Sequence, residues 1–334
     1  MIRPLPPILT VSMAPHVHCG RTIKGHMRET LIALLPATIM AAVFFGLDAV
    51  RVMAMACAVA VATEALCNTL SRRDLAVDDL SALLTGLLFA FLLPASAPWW
   101  LAAVGAAASI GLGKFIFGGL GASPLCPPLV GWALCRISWP EIMDTNASML
   151  ASTLAAPLHE LKHFGLDAVT AIDPVSLFTG HQLGGLGAVH VAALLAGGAF
   201  LLVRHHIPWE IPAAFIAGLL ATAWVYRLMD PTAYAPPLFH LLAGGAVFGA
   251  FFLATDPASS PVGRIPRLLF GLVAGIMVII IRVYGIYPDG VPFAILLANL
   301  FTPLLDRIRP RPFGGPYTLT QEREEDSVCK KSCG

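Results

Sequence analysis

The chain has 334 residues, 57% of them hydrophobic and only 12% charged, with a mean hydropathy of +0.77 and a net charge of +1. Soluble domains carry about twice that charged fraction, so the composition excludes an ordinary soluble domain and points to a polytopic membrane protein. No basic block suggests nucleic acid, and seven cysteines without CxxC or CxxCH support neither an iron–sulfur run nor a haem c attachment.

In chain order, residues 1–28 read as a proline-rich, polar cytoplasmic arm. It lacks a continuous apolar core, so no cleavable signal peptide is expected and the first helix would act as an uncleaved signal. His16, His18, Cys19 and His26 have metal-like spacing, but no second cluster completes a site, and a solvated arm is the plainer reading. Apolar runs then fall near 29–46, 50–69, 79–93, 98–116, 124–139, 187–204, 209–226, 237–253, 267–285 and 290–305. A span needs about 20 apolar residues. Several of these runs are shorter and flanked by Pro and Gly, as half-helices and re-entrant segments are. Cys57 and Cys67 sit in apolar helix and read as small hydrophobes.

Charge tests this segmentation. With the N-terminus in the cytoplasm and sides alternating, all but Arg51, Arg136, Lys162, Arg227 and Arg282 of the 21 lysines and arginines fall inside. Both termini are then cytoplasmic, including the tail 307–334, and the hydrophilic loop 140–186 lies outside. That loop separates a first five-span half, 29–139, from a second, 187–306, which must enter the membrane the other way up. The halves look related: Gly86, Pro94, Ser96 and Pro98 meet Gly249, Pro257, Ser259 and Pro261 at a constant offset. The expected fold is an all-α membrane protein with about ten transmembrane helices in two inverted five-helix repeats. Such repeats place a ligand or ion site near the midplane, where matching helices break.

The polar residues at those breaks are the candidate site. Asp256 in Thr255-Asp256-Pro257 is either turn chemistry or an acceptor for a cation or a flavin ring NH. Asp289 in Tyr287-Pro288-Asp289-Gly290 reads the same two ways. Arg282 is costly in hydrocarbon unless paired, and Asp256 and Asp289 are its candidate partners. Glu64 and Lys114, near run ends, are expected to snorkel to the interface. Asp78 and Asp79 precede Ser81, where a helix N-cap accounts for at least one of them.

Long blocks in the right order resemble a known family. They are Asp79 to Leu88, Ala97-Pro98-Trp99-Trp100, Gly113 to Gly121, Ala254-Thr255-Asp256-Pro257, Ile281 to Val291, and the run from Ala298 to Asp306. From about 15 to 306 the chain resembles the D subunit of the Rnf electron-transport complex and, more distantly, the B subunit of the sodium-translocating NADH:quinone reductase. The resemblance implies a membrane subunit of a complex that couples electron transfer between ferredoxin and NAD to sodium or proton movement, with an external flavoprotein subunit among its partners. It also implies a riboflavin held non-covalently and an FMN joined through phosphate to a threonine of the external loop. Here the sequence departs from the family pattern. Asp167 and Thr170 keep the start of the attachment motif, but Asp173 stands where the acceptor threonine belongs. A carboxylate cannot replace a hydroxyl in that phosphoester, and Thr170 is three residues early. The family's Asn-Pro-Phe-Asn-Pro reads Ser123-Pro124-Leu125-Cys126-Pro127, and a glutamate expected after Gly187 is Ala188. The chain alone holds no dehydrogenase site: no GxGxxG follows a strand and no cluster ligands occur. Two other readings stay open, a redox-free secondary transporter or channel and a scaffold that has lost its flavin.

Overall fold

The computed structural model describes residues 22–72, 79–144, 156–166, 169 and 172–308. Among these residues every regular element is helical and there is no strand. The first helix, α1 (Ile23–Leu70), is 48 residues long. At about 1.5 Å per residue it measures roughly 72 Å, more than twice a hydrocarbon core of about 30 Å. It is not one straight rod. Gly46, at φ 65° and ψ −144°, interrupts it, so the expected runs 29–46 and 50–69 are two helical lengths meeting at a kink. A Cβ added at Gly46 would touch nothing within 4 Å, so the backbone angle, not crowding, demands glycine. Beyond the kink one stripe is buried: Ala49, Val52, Ala56, Ala60, Glu64 and Asn68. That spacing of three and four is a single helix face.

The order continues with α2 (Ser81–Leu92), α3 (Trp99–Ile110) running into a π-turn (Gly111–Phe115), and α4 (Pro127–Ser138). Then come two short helices, α5 (Pro157–Phe164) and α6 (Pro174–Thr179). The remainder is α7 (Val191–Val203), α8 (Glu210–Met229), α9 (Pro237–Leu242), α10 (Ala246–Phe248) with a second π-turn (Gly249–Leu253), α11 (Arg264–Tyr284) and α12 (Val291–Leu305). The apolar run expected over 237–253 is therefore broken at residues 243–245. The loop 140–186 is more than a hydrophilic link, since it carries α5 and α6.

Packing relies on small residues, as it must where lipid offers no hydrophobic drive between helices. α1 lies against α2, α3 and α7, and α8 runs along α11. At Gly218 an added Cβ would come within 2.6 Å of the Leu272 carbonyl oxygen, and at Gly271 within 2.6 Å of the Ile211 carbonyl oxygen. Either substitution would force α8 and α11 apart. The outside is apolar: Leu47 is 87% exposed and Leu228 68%. Glu64, Lys114, Gln182, Arg282 and Asn299 are buried. Apolar residues outside with charges inside is the polarity of a membrane protein. α1, α8 and α11 are each long and apolar enough to cross a membrane.

Candidate functional site: the helix breaks

Each helix break frees main-chain polar groups in apolar surroundings, and each must find a partner. At the end of α2 the partners come from the segment just before α7. The Leu186 and Gly187 amides donate to the carbonyls of Leu93 (2.8 Å) and Phe91 (3.2 Å). The Phe91 ring lies 5.7 Å from that of Phe248, so the ends of α2 and α10 meet here.

The break after α9 is satisfied by three side chains. Buried Arg282 donates to the carbonyls of His240 and Ala243, the latter at 3.0 Å, and to Asp289 Oδ1 at 3.1 Å. Asp289 Oδ2 accepts from the Gly245 amide at 3.0 Å, and Oδ1 from Val291 at 3.3 Å. The Gln182 amide nitrogen donates to Leu242 (3.0 Å) and Val189 (3.3 Å), while its oxygen accepts from Gly244 (3.3 Å). The fork of the guanidinium suits this work, because it can cap two carbonyls and hold a carboxylate at once. Of the two candidate partners for Arg282, the structure selects Asp289. Asp256 is not paired with it.

Asp256 instead closes its own turn. Its Oδ2 accepts from the Ser259 amide (3.2 Å) and hydroxyl (2.9 Å). The Thr255 hydroxyl donates back to the Phe251 carbonyl at 2.6 Å. Across the break Thr302 of α12 donates to the Ser259 carbonyl at 3.0 Å. Asn299 lies three residues earlier on α12, hence on the same face, 1% exposed, with neither side-chain polar atom hydrogen-bonded among the described residues. Sequence reasoning passed over Asn299 and Gln182. The signal for Asn299 was its place four residues after Ile295, among the buried apolar residues Val291, Ala294, Ile295 and Ala298.

The snorkelling expected of Glu64 and Lys114 is corrected. Lys114, in the π-turn after α3, donates to Glu64 and at 2.6 Å to the Ser81 hydroxyl, the first residue of α2. Both charged side chains are over 90% buried. Asp79 accepts from the Ser81 amide (3.0 Å) and hydroxyl (2.8 Å), so it satisfies the first amide of α2 from one residue before the N-cap, which is Leu80 and not an aspartate. Asp78 lies outside the described residues. Glu64 Oε2 is buried without a partner among the described residues.

On the loop side, a cleft of about 100 Å³ is lined by Arg136, Asp144, His159, Gly184, Tyr287 and Asp289 among others. Ligand pockets measure about 300–1,000 Å³. The cleft is smaller than these. The Arg136 guanidinium stands 4.9 Å over the Tyr287 ring, and Lys162 of α5 donates to the carbonyls of Gly285 and Tyr287. Asp173 is exposed and caps α6, its Oδ1 accepting from the Val175 amide at 3.2 Å. Asp167 and Thr170 lie outside the described residues. Among the described residues no cluster of His, Cys, Asp and Glu could hold a metal ion.

A buried-charge, broken-helix membrane protein is thus defined by fold and site. The chain belongs to the NQR2, RnfD, RnfE family, whose model matches residues 10–314. It is 37% identical over 319 residues to the D subunit of the Na(+)-translocating ferredoxin:NAD(+) oxidoreductase complex of Acetobacterium woodii, covering 94% of this chain and 98% of that one. It is 36% identical to the D subunit of the ion-translocating oxidoreductase complex of Alcanivorax borkumensis (92% and 97% covered), and 35% identical to that of Yersinia enterocolitica (92% and 98%).

Proposed function

We propose that this chain is the D-type membrane subunit of an Rnf complex, coupling electron transfer of the ferredoxin–NAD type to movement of sodium or protons. The observation that carries this reading is the end-to-end relationship to the Acetobacterium woodii protein, at 37% identity over 94% of the chain. The fold is read as ten spans in two inverted repeats in the inner membrane, both termini cytoplasmic. Two parallels support that. α2 and the π-turn after α10 both stop at a proline-serine-proline break. Each break is followed by a helix carrying a buried cation, Lys114 or Arg282, that reaches back to the preceding broken element.

Flavin is read at one place and not another. A phosphoester at position 173 does not fit: the side chain is a carboxylate already engaged as a helix cap. A non-covalent flavin is placed beside Asn299 on the strength of its amide alone, which can both donate and accept and is satisfied by no other described residue, with Asp256 on the facing turn. A bound flavin would supply one- and two-electron chemistry there. The chain's residues do the rest. Asp256 and Asn299 orient the polar rim. Asp289 and Arg282 hold a break whose charge balance an ion or electron nearby would disturb.

Visible absorbance of the purified complex with and without this subunit, combined with pumping in membrane vesicles, tests the reading. The expected result is flavin colour assigned to this subunit and released on denaturation, with pumping impaired by Asp256→Asn and by Asp289→Asn. Colourless subunit would favour a redox-free transporter or a scaffold. Native pumping by both variants would refute the coupling role of the two aspartates.

A further inference from the structure

The corner between α7 and α8 opens onto the start of α11. A cleft of about 570 Å³ there is lined by His205, Pro208, Trp209, Glu210, Arg264 and Arg267 with their neighbours. Arg264 is the first residue of α11, its side chain 89% exposed, and its Nε is 3.9 Å from Glu210, at the limit of an ion pair. One turn on, Arg267 uses its Nε to donate to the Pro261 carbonyl at 3.2 Å. Its two terminal nitrogens make no hydrogen bond among the described residues and are left for another acceptor. Among the described residues the cleft therefore carries two guanidinium groups against one poorly engaged carboxylate. Trp209, at its rim, is 63% exposed. From the mouth of the cleft, Ile265, Leu268, Leu269 and Leu272 run up α11 as an exposed apolar stripe at helical spacing.

Arginines at a helix end, a tryptophan at the rim and a lipid-facing stripe leading away are the parts of a headgroup site. We propose that this cleft seats the phosphate of an anionic phospholipid, one acyl chain lying along the α11 stripe. Arg264 and Arg267 bind the phosphate oxygens, and the guanidinium fork suits them. A zwitterionic lipid brings an ammonium that the same arginines repel, so the site discriminates by headgroup charge. Glu210 competes with the lipid for Arg264. The inference requires the chain to lie in a membrane and is independent of its redox role.

The test is native mass spectrometry of the detergent-extracted complex titrated with phosphatidylglycerol, cardiolipin or phosphatidylcholine. Retained anionic lipid should fall on the order of fivefold per arginine removed in Arg264→Gln and in the double variant with Arg267→Gln. It should survive in the Arg→Lys pair and rise in Glu210→Gln. If the double variant fails to fold, Arg264→Gln carries the test, since its side chain makes only the long contact to Glu210 among the described residues. Equal retention by native and variant protein overturns the proposal. So does a crosslinker at Trp209→Cys that captures a neighbouring protein subunit in intact membranes, because the cleft would then be a protein interface.

Discussion

Among single residues, the buried ion pairs decide most. Glu64 and Lys114 are each over 90% buried, and among the described residues each is the other's only opposite charge in contact. Removing one partner strands the other in a low-dielectric interior, which costs about 3–5 kcal/mol, whereas removing both replaces a desolvated pair by apolar volume. Glu64→Gln and Lys114→Met should each lower thermal stability strongly, and the double variant should be far less damaged than the sum of the two. Additive losses in such a cycle would show that the pair is not coupled. The pair was only half legible in the sequence. Glu64 lies near the end of an apolar run, where escape to the interface is the general expectation. What overrode it is its register: Glu64 lies four and eight residues after Ala60 and Ala56, on the buried face. Arg282 was easier, because an arginine in an apolar run is costly unless paired, and the two flanking breaks each offered a carboxylate. Which of the two it takes depends on the turn at residues 285–290, which brings Asp289 back beside it and leaves Asp256 facing Ser259.

At the scale of elements, the breaks matter more than the helices. Gly46 holds a backbone conformation that an L-residue adopts only under strain, in open space. Gly46→Ala should therefore cost about 1–3 kcal/mol with no steric clash to relieve, or straighten α1. Thermal unfolding of the variant measures the first, and altered packing of α1 on α7 would reveal the second. An unchanged melting temperature would mean that α1 tolerates another path through the kink. Hydropathy found the apolar runs well, because a run of aliphatic residues is visible without knowing its neighbours. It read 237–253 as one span, since Ala243, Gly244 and Gly245 are apolar or neutral and carry no penalty on that scale. The interruption is set by groups far away in the chain, Gln182, Arg282 and Asp289, which hold the freed main chain in place.

For the molecule as a whole, the asymmetry of positive charge and the matching proline-serine-proline breaks argue for two halves of opposite orientation. Phe164, at the end of α5, is 71% exposed. With the seven native cysteines replaced, Phe164→Cys should react with a membrane-impermeant thiol reagent from the external face only. Labelling from the cytoplasmic face would overturn the inverted arrangement. The proposed likeness of the halves rests on a constant offset between two short sequence motifs. What joins them was not legible in sequence, because the contacts of residues 182–187 are made mostly by main chain and leave no compositional mark. Leu186 and Gly187 finish one half's broken helix, and Gln182 finishes the other's. A slack tether would let the halves turn freely. This one is a clasp fastened on both sides. Rotation of one half against the other would pull these buried bonds apart, so a working stroke that keeps them intact carries the clasp as part of a moving body.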